Sequence, residues 1–309
     1  MQPLQGIVEF VFVLVAPGQG AQTPGFLTPW LELPGFGERM SAWSDVAGLD
    51  LIAYGTKAGA DEIRDTAVAQ PLLVAASLAA AATLGDGRPD LLAGHSVGEF
   101  AAAALAGVLT DEQALALVRE RAQAMAEAAA LTPTGMTAVL GGVEDDVLAA
   151  LDKHGLTPAN INGAGQIVAG GTLEQLAAFK DDAPARARLI PLSVAGAFHT
   201  AHMAPAVDRL RAAAEAITPA DPATKLLSNA DGQVVTGGAD FVARLIAQVS
   251  NPVRWDSCMA AMAGLGVTRM IELLPGGTLT GLAKRGLRGV ETVALKTPDD
   301  LDAARELMK

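Results

Sequence analysis

Ser96 stands at the centre of Gly94-His95-Ser96-Val97-Gly98, a G-x-S-x-G pattern. The preceding Leu91-Leu92-Ala93 reads as a short buried strand, and the small residues from Glu99 to Ala106 read as a helix. In that setting the pattern describes a nucleophile elbow, a strained strand-to-helix turn that lifts a serine hydroxyl above the end of a sheet. Outside that setting the same five residues describe only a glycine-rich turn with a capping serine.

A serine nucleophile needs a base, and the chain offers four histidines. His95 lies inside the elbow, where successive side chains diverge. His154 directly precedes Gly155 at the end of an expected helix, a position the helix dipole favours for histidine. His199 and His202 form an H-x-x-H pair, but one cysteine and no third histidine nearby leave a zinc set incomplete. His199 is the preferred base, because it follows a strand and the loop Leu192–Phe198 and precedes a helix. Asp145, Asp146, Asp152, Asp181 and Asp182 lie between Ser96 and His199, the chain order of a hydrolase triad. All five fall on expected helices or turns of a separate segment, so a Ser-His dyad with a carbonyl behind the imidazole fits better. A hydrolase would pass the acyl group to water, a transferase to another nucleophile.

The elements that must position these groups follow from apolar patterning. Val8–Ala16 reads as a fully buried strand, suited to a parallel sheet covered on both faces, and runs into the loop Pro17-Gly18-Gln19-Gly20-Ala21-Gln22. Gln70-Pro71 is expected to start a helix with proline in its first turn. Thr110-Asp111-Glu112-Gln113 is a capping box that opens a long helix to about Ala130. From Thr132 the texture changes: strands at 136–140, 159–162, 166–169 and 187–192 alternate with helices at 144–153 and 172–179. This βαββαβ order is that of the ferredoxin-like unit. The fold class expected is α/β, with a discontinuous α/β-hydrolase-like subdomain (1–131 and 195–309) carrying the parallel sheet. A small ferredoxin-like subdomain (132–194) is inserted in it.

The chain has 309 residues, half of them apolar, and a formal net charge of −12, which argues against nucleic acid as a main partner. The single cysteine, Cys258, leaves no internal disulfide and fits a reducing compartment. No apolar run is expected to span a bilayer, and Ile7–Ala16, with Glu9 in it, makes a poor signal peptide. Gly163-Ala164-Gly165 lacks a third glycine and a following helix, which excludes a dinucleotide fingerprint. Lys284, Arg285 and Arg288 form a basic patch that could receive an acidic partner or simply close a helix against its dipole.

Several motifs converge on one family. Pro17-Gly18-Gln19-Gly20-Ala21-Gln22, Gln70-Pro71, Gly94-His95-Ser96-Val97-Gly98-Glu99-Phe100, Asn162-Gly163-Ala164-Gly165-Gln166, Gly196-Ala197-Phe198-His199 and Asn251-Pro252-Val253-Arg254-Trp255 occur in the order seen in malonyl-CoA:acyl carrier protein transacylases. The resemblance runs from Val13 to the C-terminus; Ala21 departs from it, where many members have serine. It implies Ser96 as nucleophile, His199 as base, and the backbone N–H groups of Gln19 and Val97 as the oxyanion hole. It places a main-chain carbonyl beside Gln248 behind the histidine, with Asn162 in the site wall. Helical periodicity does not separate Arg119 from Arg121, since both flank the face of Leu115, Val118, Ala122 and Met125; the resemblance selects Arg121 as the clamp for a malonyl carboxylate. Phe198 would bar a branched acyl group, and the basic trio would meet the carrier.

The implied reaction is ping-pong transfer of malonyl from malonyl-CoA to a carrier's phosphopantetheine thiol, with no cofactor or metal, by a cytoplasmic monomer serving fatty acid or polyketide synthesis. The alternatives are a serine esterase or thioesterase, and a non-catalytic carrier-binding module.

Overall fold

The computed structural model describes residues 10–163 and 165–309. Two sheets organise the chain. The larger has six strands in the order Glu291–Ala294, Val267–Glu272, Val11–Ala16, Leu91–Gly94, Lys225–Leu227 and Val234–Val235. All neighbours are parallel except the last pair. The first strand alternates between two apolar layers, Phe12 and Leu14 facing one and Val13 and Val15 the other. That is why Val11–Ala16 carries no polar residue. The expected start of this strand at Val8 lies outside the described residues. Ala16 pairs with Gly94, so the glutamine loop and the elbow leave the sheet side by side.

Three helices form the wall beside the elbow. Gly98–Leu105 continues from it, Thr66–Thr83 packs against that helix, and Asp111–Leu131 packs against both. The expected capping box closes the start of the last: the Gln113 N–H donates to Thr110 Oγ1 and the Thr110 N–H to Gln113 Oε1. The helix containing Pro71 starts earlier than its sequence suggested. Asp65 caps it by accepting the Ala67 N–H at 2.8 Å, so Pro71 falls inside the helix, not in its first turn. The proline there leaves the carbonyl one turn back without its helical donor. Contrary to expectation, these 18 residues are long and apolar enough to cross a membrane; here they form the core, because small side chains let neighbouring helices close around them.

The second sheet runs Ala187–Pro191, Thr134–Gly141, Gln166–Thr172, Thr157–Gly163, all antiparallel. Helices Glu144–Lys153 and Leu173–Asp181 cover one face, burying Val147, Leu151 and Phe179 against Val139 and Ile167. A fifth strand, Val253–Arg254, comes from far along the chain and pairs in parallel with Asn160 and Ile161. The small sheet is therefore completed by the segment after residue 194.

Candidate active site

The elbow turns as its glycines allow. A Cβ at Gly94 would stand 2.0 Å from the Gly98 carbonyl carbon, and one at Gly98 would stand 2.3 Å from the Ala16 oxygen. Ser96 at the tip has φ +53°, a left-handed conformation that costs a non-glycine residue energy and recurs at functional sites. Two bonds secure the tip: the Ser96 N–H donates to Asn229 Oδ1 at 2.7 Å, and Asn229 Nδ2 donates to the Gly94 carbonyl at 2.8 Å.

His199 reaches Ser96 from the loop after the small sheet, also with positive φ (+59°). Ser96 Oγ and His199 Nε2 are 2.7 Å apart, and His199 Nδ1 is 2.8 Å from the Gln248 main-chain carbonyl. A carbonyl can only accept, so Nδ1 carries the proton and Nε2 presents its lone pair to the serine hydroxyl. Burial, with the positive Arg121 adding to it, pushes the His199 pKa down to about 3, which leaves the imidazole neutral and able to take a proton. Among the described residues no carboxylate bonds to His199. Of the acids weighed from sequence, Asp182 instead meets Lys153 at 2.5 Å and His154 at 2.9 Å.

The backbone N–H groups of Gln19 and Val97 donate no hydrogen bond among the described residues. Gly18 brings the first of them close: a Cβ at that position would stand 2.8 Å from the His95 carbonyl. The Gln19 side chain is tied back by the Thr66 hydroxyl at 3.0 Å, which in turn accepts from Gln70 Nε2 at 2.8 Å.

The structure separates the two arginines that periodicity left equivalent. Arg119 faces Glu120 and the Val46 carbonyl. Arg121 is buried in the cavity wall, with one terminal nitrogen on Gln70 Oε1 and the other on Gln248 Oε1 at 2.8 Å. Its Nε has no partner among the described residues. Burial lowers its pKa to about 10, so it stays cationic at neutral pH.

Asn162 Oδ1 bonds to His95 Nε2 at 2.8 Å rather than to His199. With the His95 ring edge-on to Trp255, it forms a wall, not a support for the base. Ser96, Arg121, His199, Phe198, Asn160 and Gln19 share one cavity of about 300 Å³. The Phe198 ring is buried beside His199. Leu279 and Leu282 also line this cavity, on the helix Thr278–Gly286 whose last turn carries Lys284 and Arg285. Lys284, Arg285 and Arg288 are exposed, and Arg285 reaches Gln166 in the cavity wall at 3.2 Å. The first two stand in the last helical turn, so the dipole reading holds for them as well.

Three site residues were given no role by the sequence reading: Gln70 and Glu99, present there only as parts of motifs, and Asn229. Glu99 is 1% exposed, and burial pushes its carboxyl up to about 8 against the pull of two N–H donors and Arg121. Its place in the elbow's flank was the available signal, since a charged residue in a run of alanines has to find partners in the interior. Cys258 is buried and its thiol is pushed up by desolvation. Among the described residues no three His, Cys, Asp or Glu side chains gather as metal ligands.

Comparison with known proteins gives a consistent result. The family described as "Acyl transferase domain" matches residues 11–299. The chain is 52% identical over 302 residues to the malonyl CoA-acyl carrier protein transacylase of Mycobacterium tuberculosis, covering 96% of this chain and 100% of that one. It is 34% identical to the Escherichia coli protein of the same name, covering 96% and 99%. The crystal structure of MCAT from Mycobacterium tuberculosis superposes with a TM-score of 0.92 at 51% identity, covering 97% and 100% of the two chains. A malonyl-transacylase solved in complex with a type II PKS acyl-carrier protein gives 0.89 at 32% identity, covering 96% and 99%.

Proposed function

Because the chain belongs to the malonyl CoA-acyl carrier protein transacylase family, we propose that it moves malonyl from malonyl-CoA to the phosphopantetheine thiol of an acyl carrier protein. The observation that carries this reading is the Ser96–His199 contact of 2.7 Å, in a cavity whose wall holds the buried cation Arg121.

Ser96 Oγ attacks the thioester carbonyl as His199 Nε2 takes its proton. The oxyanion settles between the Gln19 and Val97 N–H groups, each such donor contributing about 2.7–4 kcal/mol to the transition state. As the carbonyl reforms, the C–S bond breaks and the coenzyme A sulfur leaves with the proton from His199. A malonyl ester remains on Ser96. The carrier thiol then gives its proton to His199 and attacks that ester, and Ser96 departs with the proton. Arg121 holds the malonyl carboxylate by paired charge-assisted hydrogen bonds. Phe198 leaves little room for an α-branch.

The fold supports the same reading. A mostly parallel sheet with an elbow at its carboxyl edge is α/β-hydrolase-like, and the four antiparallel strands under two helices follow the ferredoxin-like order. We take 1–131 with 195–309, and 132–194, as the two subdomains, with the Val253–Arg254 strand crossing to the smaller one. The reaction needs only this chain's own side chains and backbone groups, with phosphopantetheine brought by the partner, and the lone buried cysteine fits a cytoplasmic enzyme. We expect a monomer that docks the carrier over Lys284, Arg285 and Arg288, in fatty acid or polyketide synthesis.

The test is to incubate the protein with malonyl-CoA, with and without holo-carrier, and to follow carrier mass, Ser96 mass and free malonate. Malonyl on the carrier, and on Ser96 in its absence, is expected, with both lost in Ser96→Ala. Rapid malonate release that ignores the carrier would identify a thioesterase instead, and an unmodified Ser96 a binding module.

A further inference from the structure

Glu99 occupies the first turn of the helix that leaves the elbow, inside the protein and out of reach of substrate. A carboxyl in such a place is costly unless its oxygens are paired. Both are: Oε1 accepts the Asn229 N–H at 2.6 Å, and Oε2 accepts from Gln248 Nε2.

These two partners lead to the nucleophile, the base and the carboxylate clamp. Asn229 Oδ1 holds the Ser96 N–H at 2.7 Å. Gln248 Nε2 also touches the Ser96 carbonyl at 3.2 Å. The Gln248 main-chain carbonyl holds His199 Nδ1, and its Oε1 holds Arg121, each at 2.8 Å. We propose that Glu99 is a positioning residue for the transfer, one buried carboxyl that sets nucleophile, base and carboxylate clamp in mutual register through Asn229 and Gln248. The proposal rests on the reading of Ser96 and His199 given above.

A carboxyl suits this place for a stated reason. The two donors arrive from distant stretches of the chain, and each carboxyl oxygen accepts one of them. An amide of the same shape would present an NH₂ to one of them, leaving two donors facing each other. If filling space were its whole role, an apolar side chain of similar volume would serve, since replacing buried ionic groups in that way is often neutral or stabilising.

The test compares wild type with Glu99→Gln and Glu99→Met, using malonyl-CoA and acetyl-CoA as acyl donors. Ser96 acylation is followed by mass spectrometry in single turnover, beside a thermal melt. Both variants are expected to fold, to acylate Ser96 with malonyl about 10²-fold more slowly, as misplacements of about 1 Å do, and to lose most of the preference for malonyl over acetyl. In the Glu99→Gln background, Gln248→Ala should add little, because linked positions are not additive. Glu99→Gln acylating within about twofold of wild type, at unchanged selectivity, would overturn the proposal. So would equal losses for both acyl donors that track a smaller folded fraction. If wild type itself took no malonyl on Ser96, the transfer reading would fall first, and this one with it.

Discussion

His199 rests its Nδ1–H on the main-chain carbonyl of Gln248 at 2.8 Å, so a neutral dipole orients the base where hydrolase triads place a carboxylate. The imidazolium formed in each half-reaction gains no ion pair with its orienting partner. It is correspondingly ready to return its proton to the leaving group.

The pH dependence should show this directly. With the His199 pKa pushed down to about 3, the base is free throughout the weakly acidic range. The acid limb of kcat/KM for Ser96 acylation is expected well below pH 5, and a limb near 6.5 would contradict the burial argument. The same shift works on stability with a definite sign. Unfolded chains protonate this histidine below about 6.5 while folded ones do not, so its contribution is full above that pH and declines as pH falls toward 3.

Arg121→Ala should leave Ser96 acylable while removing selection for a free carboxylate. Hydrogen bonds to a charged group are worth about 1.5–3 kcal/mol each, so the malonyl-to-acetyl ratio of kcat/KM is expected to fall by about 10²-fold or more. Full malonyl selectivity in the purified variant would remove the clamp assignment.

Phe198→Ala opens space beside the base. Discrimination against methylmalonyl-CoA is expected to drop by about 1–3 kcal/mol, the worth of one methylene-sized contact. Competition between the two donors in one reaction would report it. An unchanged product ratio would show that other side chains exclude the branch.

Gly98→Ala tests the elbow as architecture. Its Cβ would press on the Ala16 oxygen 2.3 Å away, and no flexible side chain is there to yield. Destabilisation of about 1–3 kcal/mol or more is expected from such overpacking, read as a lower denaturant midpoint. A wild-type midpoint would mean that the two backbones separate more easily than their packing suggests.

Reversing charge at Lys284, Arg285 and Arg288 together should raise the KM for carrier and weaken its salt dependence. Malonyl-CoA hydrolysis without carrier should be unaffected. A KM that does not move would assign the trio to closing its helix.

The sequence made the serine, the base and the two-sheet plan legible because each is written in neighbouring residues: a strand before an elbow, a capping box, alternating apolar positions. What it concealed lies in pairings distant along the chain. Nothing near Val253 announces a strand of two residues that pairs with Asn160 and Ile161. Nothing near Glu99 names Gln248, 149 residues away. Arg119 and Arg121 are equivalent on a helical wheel and differ only in what the rest of the fold sets before them. The start of the helix at Thr66 was obscured by Pro71, whose preference for first turns gave way to a good cap at Asp65.

The short Val253–Arg254 strand has a mechanical meaning. It follows Gln248 by five residues, is stitched into the small sheet at Asn160 and Ile161, and its Arg254 N–H donates to the Asn229 carbonyl at 2.8 Å. The small sheet is thus anchored, by one crossing of the chain, to the stretch that holds the imidazole and to the residue that ties down the elbow.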